Sequence, residues 1–268
     1  MAKKDKIIVV LGQTSTGKSD FAVEIAKQMA GEIISADSRQ VYKGMDLGTG
    51  KITKKEMRGI KHYLLDIISP SKIFTVAQFQ KMSFEKIKEI IKKGKTPIIC
   101  GGTGFYIDAV IDGTIFPDVP PNKKLRDELY QLDAIALGRY LKKLDPERFK
   151  TIDKNNKVRL VRAIEIAKAL GKVPSPNPGL GLGTFEVLKI GLTLPSEILK
   201  ERIKTRLLTR IKKGMIKEVE NLHKNGLSWK RMNSLGLEYR YVSLFLQGKN
   251  EQRNNSAGDE NTIYARNL

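Results

Sequence analysis

Cysteine is nearly absent: Cys100 stands alone among 268 residues. A lone cysteine forms no internal disulfide and suits a reducing compartment, so a cytoplasmic protein is expected. Two histidines and one cysteine leave too few nitrogen and sulfur ligands for a zinc site of the usual kind. No apolar run approaches the roughly 18 residues of a membrane span, so no membrane partner is expected. The basic start at residues 1–6 leads into only residues 7–11 before Gly12, the length of a strand and not of a secretion signal. Acidic residues are also scarce: 29 Asp and Glu face 49 Lys and Arg, a net charge of +20. Such a balance attracts polyanions, meaning nucleic acid, anionic membrane or phosphorylated ligands, unless it only reflects a lysine-rich background. What is plentiful is core material. With 40% hydrophobic residues, the chain has enough for one large domain or two modest ones.

Strand-like and helix-like segments alternate over the first 110 residues or so. Residues 7–11 form a β-branched run of the kind buried on both sheet faces. Helical spacing follows over 17–29, a second strand over 32–36, a third over 63–68, a helix over 76–93 and a fourth strand over 98–100. Alternation of this kind predicts an α/β fold with a parallel sheet flanked by helices, whose ligands sit at the carboxyl ends of the strands. After the breaker at 116–121 the chain reads as helices only, up to the Pro/Gly-rich stretch at 174–183. A last strand is expected at 185–192 and helices over 196–248. The predicted organisation is a core of 1–116 and 184–248, a small helical insert at 117–183, and a solvated tail at 249–268.

Gly12, Gln13, Thr14, Ser15, Thr16, Gly17, Lys18 and Ser19 match G-x-x-x-x-G-K-[ST] between a strand and a helix. Backbone N–H groups of such a loop cradle phosphate, Lys18 adds a positive charge, and the Ser19 hydroxyl can hold Mg²⁺. The fold class is therefore P-loop NTPase-like. The loop specifies phosphate and not ATP, and the Walker-B candidates Asp37 and Asp66 are unpersuasive. A second glycine turn, Gly101-Gly102-Thr103-Gly104, follows the fourth strand. Two such turns suggest a place where a diphosphate meets a second substrate. Asp37, directly after the second strand, can ligate Mg²⁺, accept a proton, or cap the next segment.

These segments occur together with Ser35 through Tyr42, Gly44 through Lys51, His62 through Asp66, Val158 through Glu165 and Glu201 through Arg206. In that order they resemble the bacterial tRNA dimethylallyltransferases, also called tRNA isopentenyltransferases, over nearly the whole chain to about residue 248. The resemblance implies transfer of the prenyl group of dimethylallyl diphosphate to N6 of the adenosine 3′ of the anticodon, position 37 of the tRNA. Asp37 then serves as proton acceptor; Lys18, Ser19 with Mg²⁺, and Arg202 or Arg206 neutralise the departing diphosphate; and Thr103 lies near the reacting groups. Ser38, Arg39, Gln40, Arg126, Val158, Arg159, Leu160, Val161 and Arg162 match positions that touch tRNA. The family ends in a longer C-terminal helix; residues 262–266 resemble its beginning, and the sequence stops at Leu268.

The charge distribution supports a nucleic-acid grip. Residues 117–183 carry 14 Lys and Arg against 8 Asp and Glu, and residues 200–231 carry 11 against 3. Together they hold +14 of the +20 within 99 residues, about twice a uniform share. The partners expected are the anticodon stem–loop of tRNA and dimethylallyl diphosphate, with the protein a monomer. Three other readings compete: prenylation of free adenine nucleotides, which gives the basic insert no use; a P-loop small-molecule kinase; and an RNA-binding protein without catalysis. Cys100 is expected in the core. Trp229 and the stripe Leu235, Tyr239, Val242, Phe245 and Leu246 are expected to pack helices, Asp46, Thr49 and Lys51 to belong to a loop or line the prenyl pocket, and neither His62 nor His223 has a partner visible in sequence.

Overall fold

The computed structural model describes residues 5–174 and 185–249. They divide into two compact units, one within Met1–Gly113 and Leu180–Leu268, the other within Thr114–Gly179. The first unit is built on a five-stranded sheet of β1 (Asp5–Gly12), β2 (Gly31–Ser35), β3 (His62–Tyr63), β4 (Thr96–Gly101) and β5 (Phe185–Leu192). The strand order is β3-β2-β4-β1-β5, and every pair is parallel.

Strict alternation of side chains sorts the β-branched strands into two cores. Ile7, Val9, Ile34 and Ile99 face one side with Phe79, Ile87 and Ile90 of α3 (Val76–Lys92) and Tyr106, Ile107 and Val110 of α4 (Gly104–Ile111). Ile8, Val10, Ile33, Ile98 and Cys100 face the other with Ala22, Val23 and Ala26 of α1 (Lys18–Gln28). Cys100 is thus a core residue, and burial pushes its thiol up to about 12. A short α2 (Lys54–Met57) precedes β3. After β5, α9 (Ser196–Lys212), α10 (Met215–Lys224), α11 (Trp229–Met232) and α12 (Leu237–Leu246) gather a third core around Val41, Tyr42 and Met45. Leu235, Tyr239 and Val242 are buried there, with Trp229 and Leu246 packed against them, while Phe245 is largely exposed.

The third strand is shorter than its sequence pattern. Leu64 and Asp66 have φ of 62° and 54°, a left-handed conformation that ends an extended run. The Asp66 and Ile67 N–H groups instead donate to the Gln40 and Val41 carbonyls at 3.2 and 2.9 Å. Lys51 holds this bend, donating to the Tyr42 carbonyl and to the carboxylates of Asp46 and Asp66.

The second unit is helical: α5 (Lys123–Leu129), α6 (Ala134–Leu144), α7 (Pro146–Thr151) and α8 (Lys157–Leu170). Each begins at an Asn or Asp whose side chain accepts a backbone N–H: Asn122, Asp133, Asp145 and Asn156. Among the described residues no helix is long and apolar enough to cross a membrane. Residues 175–184 and 250–268, which include most of the expected linker and tail, lie outside the described residues.

Candidate active site

The carboxyl ends of β1, β2 and β4 meet in a cavity of about 480 Å³. Gly12 ends β1 with φ of 154°, and a Cβ there would stand 2.4 Å from the Leu192 carbonyl oxygen, so the loop can leave the sheet only through a glycine. Thr16 then ties the turn through Oγ1 to the Gln13 carbonyl at 2.8 Å, and Lys18 Nζ donates to the same oxygen at 2.7 Å. Thr14, Ser15, Gly17, Lys18 and Ser19 line the cavity, while Gly12, Gln13 and Thr16 shape the turn behind it. Burial lowers the Lys18 pKa, partly opposed by Asp37.

The second glycine turn locks onto the end of β2. A Cβ on Gly101 would lie 2.1 Å from the Ala36 carbonyl oxygen, so β4 approaches β2 backbone to backbone. The Thr103 N–H donates to the Ala36 carbonyl at 3.2 Å, and the Ser38 N–H donates to Thr103 Oγ1 at 3.1 Å. Asp37 Oδ1 accepts the Arg39 and Gln40 N–H groups at 2.8 and 3.2 Å. The capping role weighed for Asp37 and its place in the cavity are therefore compatible, because the turn fixes the carboxylate at the wall. Gln40 also lines the cavity and reaches the Gly50 carbonyl at 3.4 Å; Thr103, Ser38 and Arg39 brace the turn.

Helix α9 supplies the opposite wall. Arg206 Nη1 donates to Ser15 Oγ at 3.0 Å, across 191 residues of sequence. Arg202 lines the cavity as well, yet it is Arg206 that touches the phosphate loop. Burial, and then the neighbouring charge of Arg210, lower the Arg206 pKa. Arg210 was not singled out from the sequence, although its spacing of four from Arg206, and of Arg206 from Arg202, places the three on one helix face. Ala22, Ile33, Ile52 and His62 add an apolar part to the lining; burial lowers the His62 pKa, and its Nδ1 lies 2.9 Å from the Ile60 carbonyl. No motif marked Ala22, Ile33 or Ile52, whereas His62 opens the matched segment at 62–66. Of the motif at 44–51, Thr49 lines the cavity, whereas Lys51 and Asp46 form the loop staple.

Among the described residues no three His, Cys, Asp or Glu side chains gather as a metal site of their own. Ser19 and Asp37 nevertheless bring oxygen donors to the same wall as the phosphate loop. That donor set fits a magnesium ion that completes its shell with phosphate oxygens and water.

In the helical unit the matched residues divide. Leu160 and Val161, matched to positions that touch tRNA, are 0% and 1% exposed, and their side chains pack with Leu129, Leu137 and Leu141 in the core of the helical unit. Arg126 and Arg162 both grip Glu165, a buried carboxylate, with Arg126 Nε and Nη2 at 2.9 and 2.7 Å. Arg162 also donates to the Val119 carbonyl at 2.9 Å. Val158 is exposed, and Arg159 is an exposed side chain 3.6 Å from Asp153. In the first unit, His223 stacks on Trp229 with ring centroids 3.7 Å apart.

The family model described as IPP transferase matches residues 40–266. The chain is 44% identical to tRNA dimethylallyltransferase 2 of Treponema denticola, over 94% of this chain and 85% of that protein. It is 41% identical to tRNA dimethylallyltransferase 2 of Shewanella sediminis, over 92% and 81%. Among solved structures, the full-length tRNA isopentenylpyrophosphate transferase of Bacillus halodurans aligns with a TM-score of 0.67 at 34% identity, over 99% of this chain and 83% of that one. A eukaryotic dimethylallyltransferase described as acting on tRNA aligns with a TM-score of 0.76 at 26% identity, over 91% and 63%.

Proposed function

This chain belongs to the IPP transferase family, and from that premise we propose how its cavity carries out prenyl transfer to tRNA. The protein is a tRNA dimethylallyltransferase. The acceptor is N6 of the adenosine 3′ of the anticodon, and the donor is dimethylallyl diphosphate. The observation that carries this reading is the convergence of the phosphate loop, Arg206 and Asp37 on one cavity.

Each residue has work that the chemistry requires. An exocyclic adenine amine is a poor nucleophile, because its lone pair is delocalised into the ring. The N6 lone pair forms a bond to C1 of the dimethylallyl group as the C1–O bond breaks, and that electron pair leaves with the diphosphate. The N6 proton passes to the Asp37 carboxylate, whose turn holds it in place. Thr103 acts through Asp37, bracing that turn by its bond to the Ser38 N–H. Lys18, the loop N–H groups and Arg206 stabilise the charge that develops on the leaving oxygen. Magnesium, held by Ser19 and the diphosphate, would supply further neutralisation of that charge. The apolar lining at Ala22, Ile33 and Ile52 suits the hydrocarbon tail. We further infer a cytoplasmic protein, the compartment that its lone cysteine, Cys100, suits, acting as a monomer.

An adenosine in the anticodon loop must leave its stack to reach such a cavity. Contacts with tRNA are assigned to Ser38, Arg39 and Gln40 of the turn that carries Asp37 and, in the helical unit taken by itself, to the exposed Arg159 and Val158. Incubation with labelled dimethylallyl diphosphate, magnesium and unmodified tRNA is expected to place label in tRNA. Label in AMP but not in tRNA, or ATP consumption without transfer, would overturn the reading.

A further inference from the structure

Arg210 has no part in the reaction as derived above, yet it lines the same cavity as Arg206. Its side chain is only 13% exposed, with Nη1 3.5 Å from the Gly48 carbonyl and 3.6 Å from Glu238 Oε1. Both guanidiniums press on one glycine. A Cβ on Gly50 would stand 1.8 Å from Arg210 Nη2 and 3.1 Å from Arg206 Nη2, and its φ of +58° also favours glycine.

Two like charges on one half-buried wall repel, and the lowered pKa of Arg206 has Arg210 as its second cause after burial. Asp20, Glu56 and Glu238 offset part of that repulsion. The loop cannot relax it by moving away. Glu218 accepts the N–H groups of Asp46, Leu47 and Gly48 at 3.0, 2.7 and 3.1 Å and the Tyr239 hydroxyl at 2.7 Å, which pins the loop to α10 and α12. A packed structure that forces two guanidiniums together is complementary to an anion with several negative oxygens, since forked N–H donors pair best with phosphate or carboxylate.

We propose that Arg210 is a further diphosphate-binding residue: with Arg206 it forms a two-guanidinium seat for the leaving group, and Glu238 is its counter-ion when no diphosphate is bound. The proposal rests on the reading of the cavity as a diphosphate site. The alternative is that Arg210 only ties α9 to Gly48 and Glu238.

The two alternatives differ in how Arg210→Gln and Glu238→Gln change diphosphate affinity. Binding of inorganic pyrophosphate with magnesium is measured by titration calorimetry on the full chain and on Arg206→Gln, Arg210→Gln and Glu238→Gln, with thermal melts as the folding check. Arg210→Gln is expected to weaken binding on the order of tenfold, the loss of one charge-assisted contact. Glu238→Gln is expected to leave binding unchanged or tighten it, because a competing carboxylate is removed. An unchanged affinity in Arg210→Gln, beside a weakened Arg206→Gln, overturns this proposal alone. Unchanged affinity in both arginine variants overturns the diphosphate reading as well. Should Arg210→Gln fail to fold, Arg210→Lys and Glu238→Gln decide, and weakening in Glu238→Gln counts against the seat.

Discussion

Asp37 carries two duties on one carboxylate. Oδ1 accepts two backbone N–H groups of its own turn, and the proposed chemistry asks the same group to take a proton. Asparagine separates these duties, because its amide oxygen can still accept the turn's N–H groups while the proton acceptor is gone. Asp37→Asn is therefore expected to lower the transfer rate by about 10²–10⁴-fold and to leave tRNA affinity nearly unchanged. Single-turnover transfer beside a filter-binding assay checks this, and normal turnover in Asp37→Asn would remove Asp37 from the base role. At this scale the sequence was legible wherever a motif fixes the backbone, as at Gly12, Lys18 and Asp37. It was not legible where function depends on what packs against what. Leu160 and Val161 share a motif with Arg159 but turn into the core, and Arg210 is defined by a glycine some 160 positions earlier in the chain.

Elements were legible in proportion to how local their causes are. The strands β1, β4 and β5 follow from short apolar runs, and the four helices of the second unit from their Asn and Asp caps. The third strand fails because its bend is imposed by Lys51, which stands outside the segment. Glu165 on α8 is the corresponding tertiary feature of the helical unit. Burial disfavours its charge, but Arg126, the Asn122 N–H and Arg162 overcome that, and its pKa lies below the usual carboxylate range. A depressed carboxylate contributes stability that is present above its unfolded pKa and lost as pH falls through the folded value. Glu165→Gln leaves two guanidiniums, each about one-third exposed, without their counter-ion, so a loss of about 1–3 kcal/mol is expected at pH 7. The difference from the unaltered protein should shrink as pH falls below about 4. Urea unfolding followed from pH 7 downward measures both, and a difference that stays constant with pH would show that the ion pairs contribute nothing.

Across the whole molecule, the excess of +20 is informative through its placement. One buried carboxylate, Glu165, engages the guanidiniums of both Arg126 and Arg162 in the helical unit, whereas Lys123, Lys124, Lys142 and Lys143 remain exposed. If these lysines neutralise RNA phosphates, binding releases counterions and the affinity must fall steeply with salt. Four such contacts correspond to a loss of about 50-fold in tRNA affinity between 50 and 200 mM monovalent salt. Replacing the four by glutamine should weaken binding at low salt and flatten the slope of log K against log salt by about 0.7 per contact removed. Lysines that are only a solvated face would leave the slope where it was. The two outcomes differ in slope as well as in affinity, so a variant that merely destabilises the helical unit is told apart from one that has lost its phosphate contacts: partial unfolding scales the affinity by the folded fraction at every salt concentration, and only the loss of counterion release changes how that affinity depends on salt.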